Sequence, residues 1–195
     1  MTIKNNYYEI IIEVDDTFTL YSTDNIHHYN IIHNPLELRN DYLTFSIKIK
    51  TIDTSISVAL IGDRYSFVEN CAILRDNTLL ILQKNSISQI NISTGELISS
   101  NHIEAYGCNF EIHQINNGYI IYGEEEILML DFNFDVVWRF SGRDIFVTKN
   151  DLIPFELCND RIKLRDFEDN YYEIDFEGNV IAEKRRSNFE VNQRV

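Results

Sequence analysis

Apolar and polar residues alternate with a period of two along most of this chain, and helical spacing is rare. The alternating stretches are rich in Ile, Val, Tyr, Phe and Thr, and short Asn, Asp and Gly clusters interrupt them. Because successive side chains of a strand point to opposite faces, this pattern predicts an all-β, antiparallel protein. One short helix is expected over residues 34–40, with Asn34 as its cap and Pro35 in its first turn.

A sequence of strands and turns recurs three times in the C-terminal two thirds of the chain. Its clearest marks are the tripeptides centred on Asn91, Asp131 and Asp175, each apolar–polar–apolar, which are separated by 40 and 44 residues. A four-stranded unit with such a period is typical of a propeller blade. We therefore expect three propeller-blade-like, four-stranded units within residues 67–184. Their approximate bounds are 67–105, 106–145 and 146–184.

The N-terminal region, residues 1–66, is also β-rich, but it does not share the register of the repeats. Apolar stretches at Tyr8–Val14, Leu43–Lys50 and Ser55–Leu60 predict strands, and a further stretch follows at Thr17–Tyr21. The region is either a diverged blade or a separate small sheet. No linker rich in Gly, Ser or Pro divides it from the repeats, which predicts one continuous structure, and residues 185–195 are expected to form a loose tail.

The segment from Ile90 to Leu97 resembles the hairpin of PQQ-like propeller repeats, where an acidic residue precedes a Thr-Gly turn. The repeats as a whole resemble PQQ-like and WD-type β-propellers. Asn91 replaces the acidic residue in the first copy, the Thr-Gly turn is absent from the other two copies, and Trp138 is the only tryptophan. The resemblance therefore implies a blade architecture without a bound quinone, and no cofactor is expected.

The charge balance excludes several classes of partner. The chain has 17 Lys and Arg against 31 Asp and Glu, which gives a formal net charge of −14. Nucleic acids and anionic lipids are polyanions, so direct binding to either is not expected. No apolar stretch approaches the roughly 20 residues that a membrane helix needs, and the N-terminus lacks a signal-peptide pattern. Three widely spaced cysteines are typical of a cytosolic protein whose thiols stay reduced, so a cytoplasmic location is expected.

Motifs for catalysis or metal binding are missing from the sequence. Residues 131–135 and 175–179 alternate oxygen-bearing side chains as calcium loops do, but hairpin turns favour the same residues, and we interpret both as turns. His27, His28 and His33 are expected in a surface loop rather than in a metal site. Without a nucleophile or phosphate-binding motif, no catalytic residue is predicted and an enzyme is less favoured than a binding protein.

Two acidic turns are the candidate partner-binding site. Glu124, Glu125 and Glu126 lie in the turn before the third strand of the second unit, and Asp166, Glu168 and Asp169 lie at the equivalent place in the third. If both turns open on one face, they form an acidic rim that attracts a basic protein. Trp138 is expected to add an aromatic contact. The edge strands of an incomplete propeller need covering, which makes self-association a further expectation.

These observations favour a non-enzymatic, cytosolic protein-interaction module. Two alternatives stay open. The first is an acidic inhibitor, such as an immunity protein that neutralises a basic toxin, suggested by the charge, the modest size and the absence of catalytic motifs. The second is a hydrolase or lyase with its site at one end of the β array.

Overall fold

Seventeen β-strands and no helix are found in residues 1–149 and 152–185, which are the residues that this computed structural model describes. The prediction of an all-β fold with three four-stranded antiparallel units and an N-terminal sheet is confirmed. The predicted tail lies outside the described residues, apart from Arg185. The described part of the chain contains no helix of the length and apolar character needed to cross a membrane.

The N-terminal region forms a mixed five-stranded sheet in the order β1-β2-β4-β5-β3. Its strands are β1 (Thr2–Lys4), β2 (Tyr8–Val14), β3 (Ile31–His33), β4 (Tyr42–Thr51) and β5 (Ser55–Asp63). Strand β3 runs parallel to β5, whereas the other pairs are antiparallel. Three of the four predicted stretches are strands, but residues 17–21 form a loop.

The loop replaces a strand because side chains take over its backbone hydrogen bonds. The Thr17 N–H donates to Asp15 Oδ1, and the Thr19 N–H donates to Asn25 Oδ1. The expected helix at residues 34–40 is wrong for a similar reason. Asn34 Oδ1 accepts the Leu38 N–H at 3.0 Å in place of a helical carbonyl, and Glu37 has a left-handed φ of 53°.

The three repeats are meanders of four consecutive antiparallel strands. Unit 1 contains β6 (Ala72–Arg75), β7 (Thr78–Gln83), β8 (Ser86–Asn91) and β9 (Leu97–His102); unit 2 contains β10 (Asn109–Ile115), β11 (Gly118–Gly123), β12 (Ile127–Leu130) and β13 (Val136–Phe140); unit 3 contains β14 (Phe155–Leu157), β15 (Ile162–Arg165), β16 (Tyr171–Ile174) and β17 (Val180–Lys184). Each unit has a register shift between its third and fourth strands, at Gln89/Ile90, Met129/Leu130 and Glu173/Ile174. The repeated tripeptide therefore marks the same β-bulge three times.

The four sheets stack face to face in chain order. In β7, Leu79 and Ile81 join the core shared with the N-terminal sheet, while Leu80 and Leu82 join the core shared with unit 2. Strand β11 behaves in the same way: Tyr119 and Ile121 face unit 1, and Ile120 and Tyr122 face unit 3. Strands with a neighbour on both sides are apolar on both faces, which explains the continuous apolar stretches of β7 and β11.

The two outermost faces of the stack are not open apolar surfaces. On unit 3, Ile162, Leu164, Tyr172 and Ile174 point inward to unit 2. The alternate positions carry polar groups, and Arg161 Nη1 lies 2.7 Å from Glu173 Oε2 there. On the N-terminal sheet, Phe18 and neighbouring loop side chains pack over Ala59 and Ile61. Both ends of the apolar core are thus capped within the described residues.

Candidate functional site

Two of the acidic turns lie at the same end of the stack and are joined by residues 145–146. The Phe146 N–H donates to the Glu124 carbonyl at 2.6 Å, and the Phe167 N–H donates to the Ile145 carbonyl at 2.8 Å. Phe146 itself is buried, and its carbonyl accepts the Tyr122 hydroxyl. The structure therefore brings the β11–β12 and β15–β16 turns together, as the sequence interpretation required.

Glu124 and Glu125 lie beside the connection between units 1 and 2. A Cβ placed on Gly107 would be 3.1 Å from Glu125 Cγ and 3.4 Å from Glu124 Oε2. Burial raises the pKa of the neighbouring Cys108 thiol, and the carboxylates of Glu124, Asp63 and Glu125 add to this effect while Lys84 opposes it. The Cys108 thiol is thus within electrostatic range of four charged side chains, those of Asp63, Lys84, Glu124 and Glu125.

Glu126 and Asp166, in contrast, are buried and serve the fold. Glu126 Oε1 accepts the Tyr106 N–H at 2.7 Å, and Glu126 Oε2 lies 3.4 Å from Arg139 Nη1. Asp166 accepts the Asn170 N–H and the Tyr172 hydroxyl. Burial alone would raise the pKa of Asp166, but hydrogen bonds from Asn170, Tyr172 and the turn backbone lower it overall. Neither carboxylate is presented to solvent.

The remaining members of the predicted site divide between the surface and a sheet contact. Glu168 is exposed, and Asp169 is half-buried in the same turn with a left-handed φ of 63°. Trp138 is half-buried, and its Nε1–H donates to the Phe176 carbonyl at 2.9 Å. Its ring packs against Gly178 in the last hairpin of unit 3. Trp138 therefore holds units 2 and 3 together.

Exposed aromatic rings stand beside the acidic turns, and none of them is among the site residues predicted from sequence. Tyr65 and Tyr106 are 64% and 65% exposed, and Phe167 is 36% exposed. A cation of the chain lies over each ring: Lys84 Nζ is 5.6 Å from the Tyr65 centroid, and Arg139 Cζ and Lys149 Nζ lie 5.9 Å and 3.8 Å from those of Tyr106 and Phe167. In the sequence, the one feature that marks these three residues is that each is an aromatic residue within a segment between two strands.

We call this surface the turn end and define it as Tyr65, Tyr106, Glu124, Glu125, Phe167 and Glu168. It carries exposed rings next to exposed or half-exposed carboxylates. The faces of such rings bind apolar groups and cations, and carboxylates pair with cations directly. The arrangement suits the recognition of basic side chains.

The calcium-like motifs are turns, as predicted. Asp131 Oδ1 accepts the N–H groups of Asn133 and Asp135, and these bonds lower the pKa of the carboxyl. Asp175 Oδ1 accepts those of Glu177 and Asn179 in the same way. Among residues 1–149 and 152–185, no group of three or more His, Cys, Asp and Glu side chains is arranged to hold a metal.

The three histidines have separate surroundings, and the expectation of a surface loop is wrong for His33, which ends strand β3 and is half-buried. His33 Nε2 lies 2.8 Å from the Gly95 carbonyl oxygen, whereas His27 Nδ1 lies 2.9 Å from Asp15 Oδ2. The Asp15 side chain is only 3% exposed, and the His27 side chain is 60% exposed. Asp15 Oδ2 also accepts the Tyr29 hydroxyl at 2.6 Å. Burial would raise the pKa of Asp15, but hydrogen bonds from Tyr29, Thr17 and His27 lower it to about 2.

A cavity of about 510 Å³ opens beside this group. We call it the loop cavity; it is lined by Phe18, Leu20, Tyr21, Ser22, Asn25, His27, His28, Tyr29, Ile32 and Asn34. All of these residues belong to the loop between β2 and β4 and to β3, which the loop contains. The sequence interpretation expected the histidines at the surface but did not connect His27 with Asp15.

Comparisons with known proteins show a fold and no family. No protein-family model matches the chain, and no curated protein matches it in sequence. The crystal structure of the computationally designed Ika8 protein aligns with a TM-score of 0.51 at 9% identity, over 76% of this chain and 47% of that one. This chain therefore shares a fold with Ika8 and spans about half of its length.

Two propeller-type proteins align less well. Dihydro-heme d1 dehydrogenase NirN aligns with a TM-score of 0.45 at 13% identity, over 73% of this chain and 35% of NirN. BamB from Moraxella catarrhalis aligns with a TM-score of 0.41 at 10% identity, over 76% of this chain and 62% of BamB. These similarities concern the fold alone and do not assign an activity.

Proposed function

We propose that this protein is a cytosolic protein-interaction module that binds a basic partner at the turn end. The observation that carries the proposal is the clustering of three exposed aromatic rings with carboxylates at one end of the stack. Aromatic residues supply much of the binding energy of protein interfaces, and an arginine side chain can stack on a ring while its guanidinium pairs with a carboxylate.

The chain's own cations support this choice of partner. Lys84, Arg139 and Lys149 already lie over the three rings, which indicates that a positive charge is accommodated there. The net charge of −14 adds a long-range attraction that accelerates encounter with a basic protein. The finer hypothesis of an acidic inhibitor or immunity protein is one form of this function, in which binding also blocks a toxic partner.

The test compares two triple variants as bait. The turn-end variant carries Tyr65→Ala, Tyr106→Ala and Glu125→Gln. The control carries Tyr7→Ala, Ile52→Ala and Glu96→Gln, which are exposed and lie at the opposite ends of the strands. Both variants remove one charge, and their folding is checked by circular dichroism. Host lysate is passed over wild type and both variants at low and high salt, and the retained proteins are quantified by mass spectrometry.

A basic protein that wild type and control retain, that the turn-end variant loses and that high salt releases is the expected result. Two truncated aromatic anchors should weaken its binding at least about tenfold, which purified components then measure. Equal retention by the two triple variants would contradict the proposal. For the inhibitor hypothesis, the purified protein must also suppress the toxicity of the retained partner.

A further inference from the structure

We propose that the loop cavity binds a small planar aromatic molecule, neutral or cationic, which donates a hydrogen bond to His27 Nε2. This site is distinct from the turn end in its residues and in the chemistry of its ligand. Its volume of about 510 Å³ lies in the range of small-molecule sites.

The walls of the loop cavity suit a flat apolar body. Phe18, Leu20 and Ile32 contribute apolar surface, and the ring of Tyr29 packs edge-on against Phe18 with centroids 5.3 Å apart. Aromatic rings and aliphatic side chains bind a planar ligand without a demand for additional polar contacts.

Most polar side chains of the lining are engaged in holding the loop. Asn25 Oδ1 accepts the Thr19 N–H, and Asn25 Nδ2 donates to the carbonyls of Thr19 and Ser22. Asn34 binds the backbone of Leu38 in the same bidentate manner. The loop is therefore ordered before a ligand arrives, which lowers the entropic cost of binding.

His27 is the residue that selects the ligand. Asp15 accepts the Nδ1 proton, and this contact favours the tautomer in which Nε2 carries the lone pair. Because Nδ1 faces the buried carboxylate while the side chain is 60% exposed, Nε2 is on the accessible side of the ring. In this tautomer Nε2 accepts a hydrogen bond, so the matching ligand supplies an N–H or O–H group. Asp15 is a positioning residue that does not itself reach the ligand.

Tyr21 adds an exposed aromatic ring to the rim of the loop cavity. Its φ is 65° and its side chain is 92% exposed at the rim of the loop cavity. The left-handed region is unfavourable for a tyrosine, and Gly or Asn adopts it more readily. The exposed Tyr21 ring offers a flat apolar surface on which a planar ligand can stack.

Charge decides between cationic and anionic ligands. The pKa of about 2 keeps Asp15 ionised at neutral pH, and the chain carries a net charge of −14. A carboxylate-bearing ligand would therefore be repelled, whereas an amine or a neutral phenol or indole would not.

The probes are tryptamine and indole-3-acetate, which share an indole and differ in charge. Binding is followed by isothermal titration calorimetry and by NMR on wild type, His27→Phe and the control His102→Phe, which changes an exposed histidine of unit 1. Tryptamine is expected to shift signals of His27, Phe18 and Ile32 saturably. His27→Phe should weaken its binding about fivefold to tenfold, because one hydrogen bond is lost. His102→Phe should leave binding unchanged, and indole-3-acetate should bind less tightly.

A third variant keeps the result interpretable. Asp15→Asn should alter the imidazole nitrogen shifts of His27, which report its tautomer, and should weaken tryptamine while the fold is retained. Equal affinities for wild type and His27→Phe, signals that shift only outside the loop cavity, or the absence of saturable shifts in folded wild type would each overturn the proposal.

Discussion

At the residue scale, Asp and Asn side chains stabilise turns that in many proteins contain glycine. The chain has only 7 glycines, and the oxygens of Asn91, Asp131, Asp166 and Asp175 each accept two backbone N–H groups of the turn that follows. Part of the negative charge is therefore structural. Asp166 is the extreme case because it is fully buried.

Replacing Asp166 by Ala should lower the free energy of unfolding by about 2–4 kcal/mol, because the buried amide of Asn170 and the Tyr172 hydroxyl lose their acceptor. Urea denaturation measures the change. Glu168→Ala, in the same turn but exposed, should stay within about 0.5 kcal/mol of wild type. Similar small losses for both variants would show that the Asp166 network contributes little.

Asp15 should make stability depend on pH in the acidic range. Its pKa is about 2 in the folded protein, below the ordinary value of 3.8, so the folded state favours the ionised carboxylate. The stabilisation is complete above about pH 5 and is lost as the pH falls from about 4 towards 2, with a size on the order of 2 kcal/mol. The difference in unfolding free energy between wild type and Asp15→Asn should shrink over this window. A difference that is constant with pH would contradict the assignment.

At the element scale, the hairpin between the third and fourth strands joins each unit to its neighbour. In unit 3 this hairpin contacts Trp138 of unit 2, which donates a hydrogen bond to the Phe176 carbonyl. In unit 1 the corresponding turn residue, Gly95, packs against Ile31 and Ile56 of the N-terminal sheet. Gly95 and Gly178 have φ of 75° and 85°, and a Cβ on either would approach a neighbouring side chain to 2.9 Å. These turns are therefore sites of both backbone and packing constraint.

Gly178→Ala should destabilise the protein by about 1–3 kcal/mol, through its left-handed φ and through contact with the Trp138 ring. In a Trp138→Ala background the contact disappears while the backbone strain remains. The double-mutant cycle, measured by urea denaturation, should therefore give a coupling of at least about 0.5 kcal/mol. Strict additivity would mean that the ring relaxes away from the turn at no cost. Val180→Ala, exposed on the same hairpin, is the control.

At the scale of the whole molecule, the stack has two central sheets and two terminal ones. Units 1 and 2 share apolar cores with a sheet on each side, whereas the described residues give unit 3 and the N-terminal sheet one such core each. In stacked architectures the stability of a sheet grows with the number of interfaces that it makes. Local opening should therefore begin at unit 3, whose edge strand β14 has only three residues.

Native-state hydrogen exchange should show this order. Amides of β7, β8, β11 and β12 are expected to exchange most slowly, and those of β14–β17 faster. Ile121→Ala, at the fully buried interface between units 1 and 2, should cost about 2–5 kcal/mol and raise exchange in both central units. Uniform protection across all four sheets would show instead that the stack opens as one cooperative unit.

Several features of the fold follow from local sequence. Alternation fixes which residues of a strand share a face, and the spacing of Asn91, Asp131 and Asp175 marks three bulged hairpins that the structure contains. Tyr8–Val14 is a strand with the predicted bounds. The predictions of a strand at residues 17–21 and a helix at residues 34–40 were wrong. In both segments a side chain of Asp15, Asn25 or Asn34 accepts a backbone N–H in place of a carbonyl, and the period of apolar residues does not reveal such a bond.

The sequence by itself determined the fold class, the repeat and the turn chemistry, because these depend on interactions between residues close along the chain. Tertiary structure alone decided which carboxylates are presented to solvent, since Glu126 and Asp166 look like their exposed neighbours in sequence. It alone paired Asp15 with His27 across 12 positions, and it alone gathered Tyr65, Tyr106 and Phe167 at one end. These juxtapositions result from how the sheets stack and how a loop folds back, which are long-range contacts that no local pattern encodes.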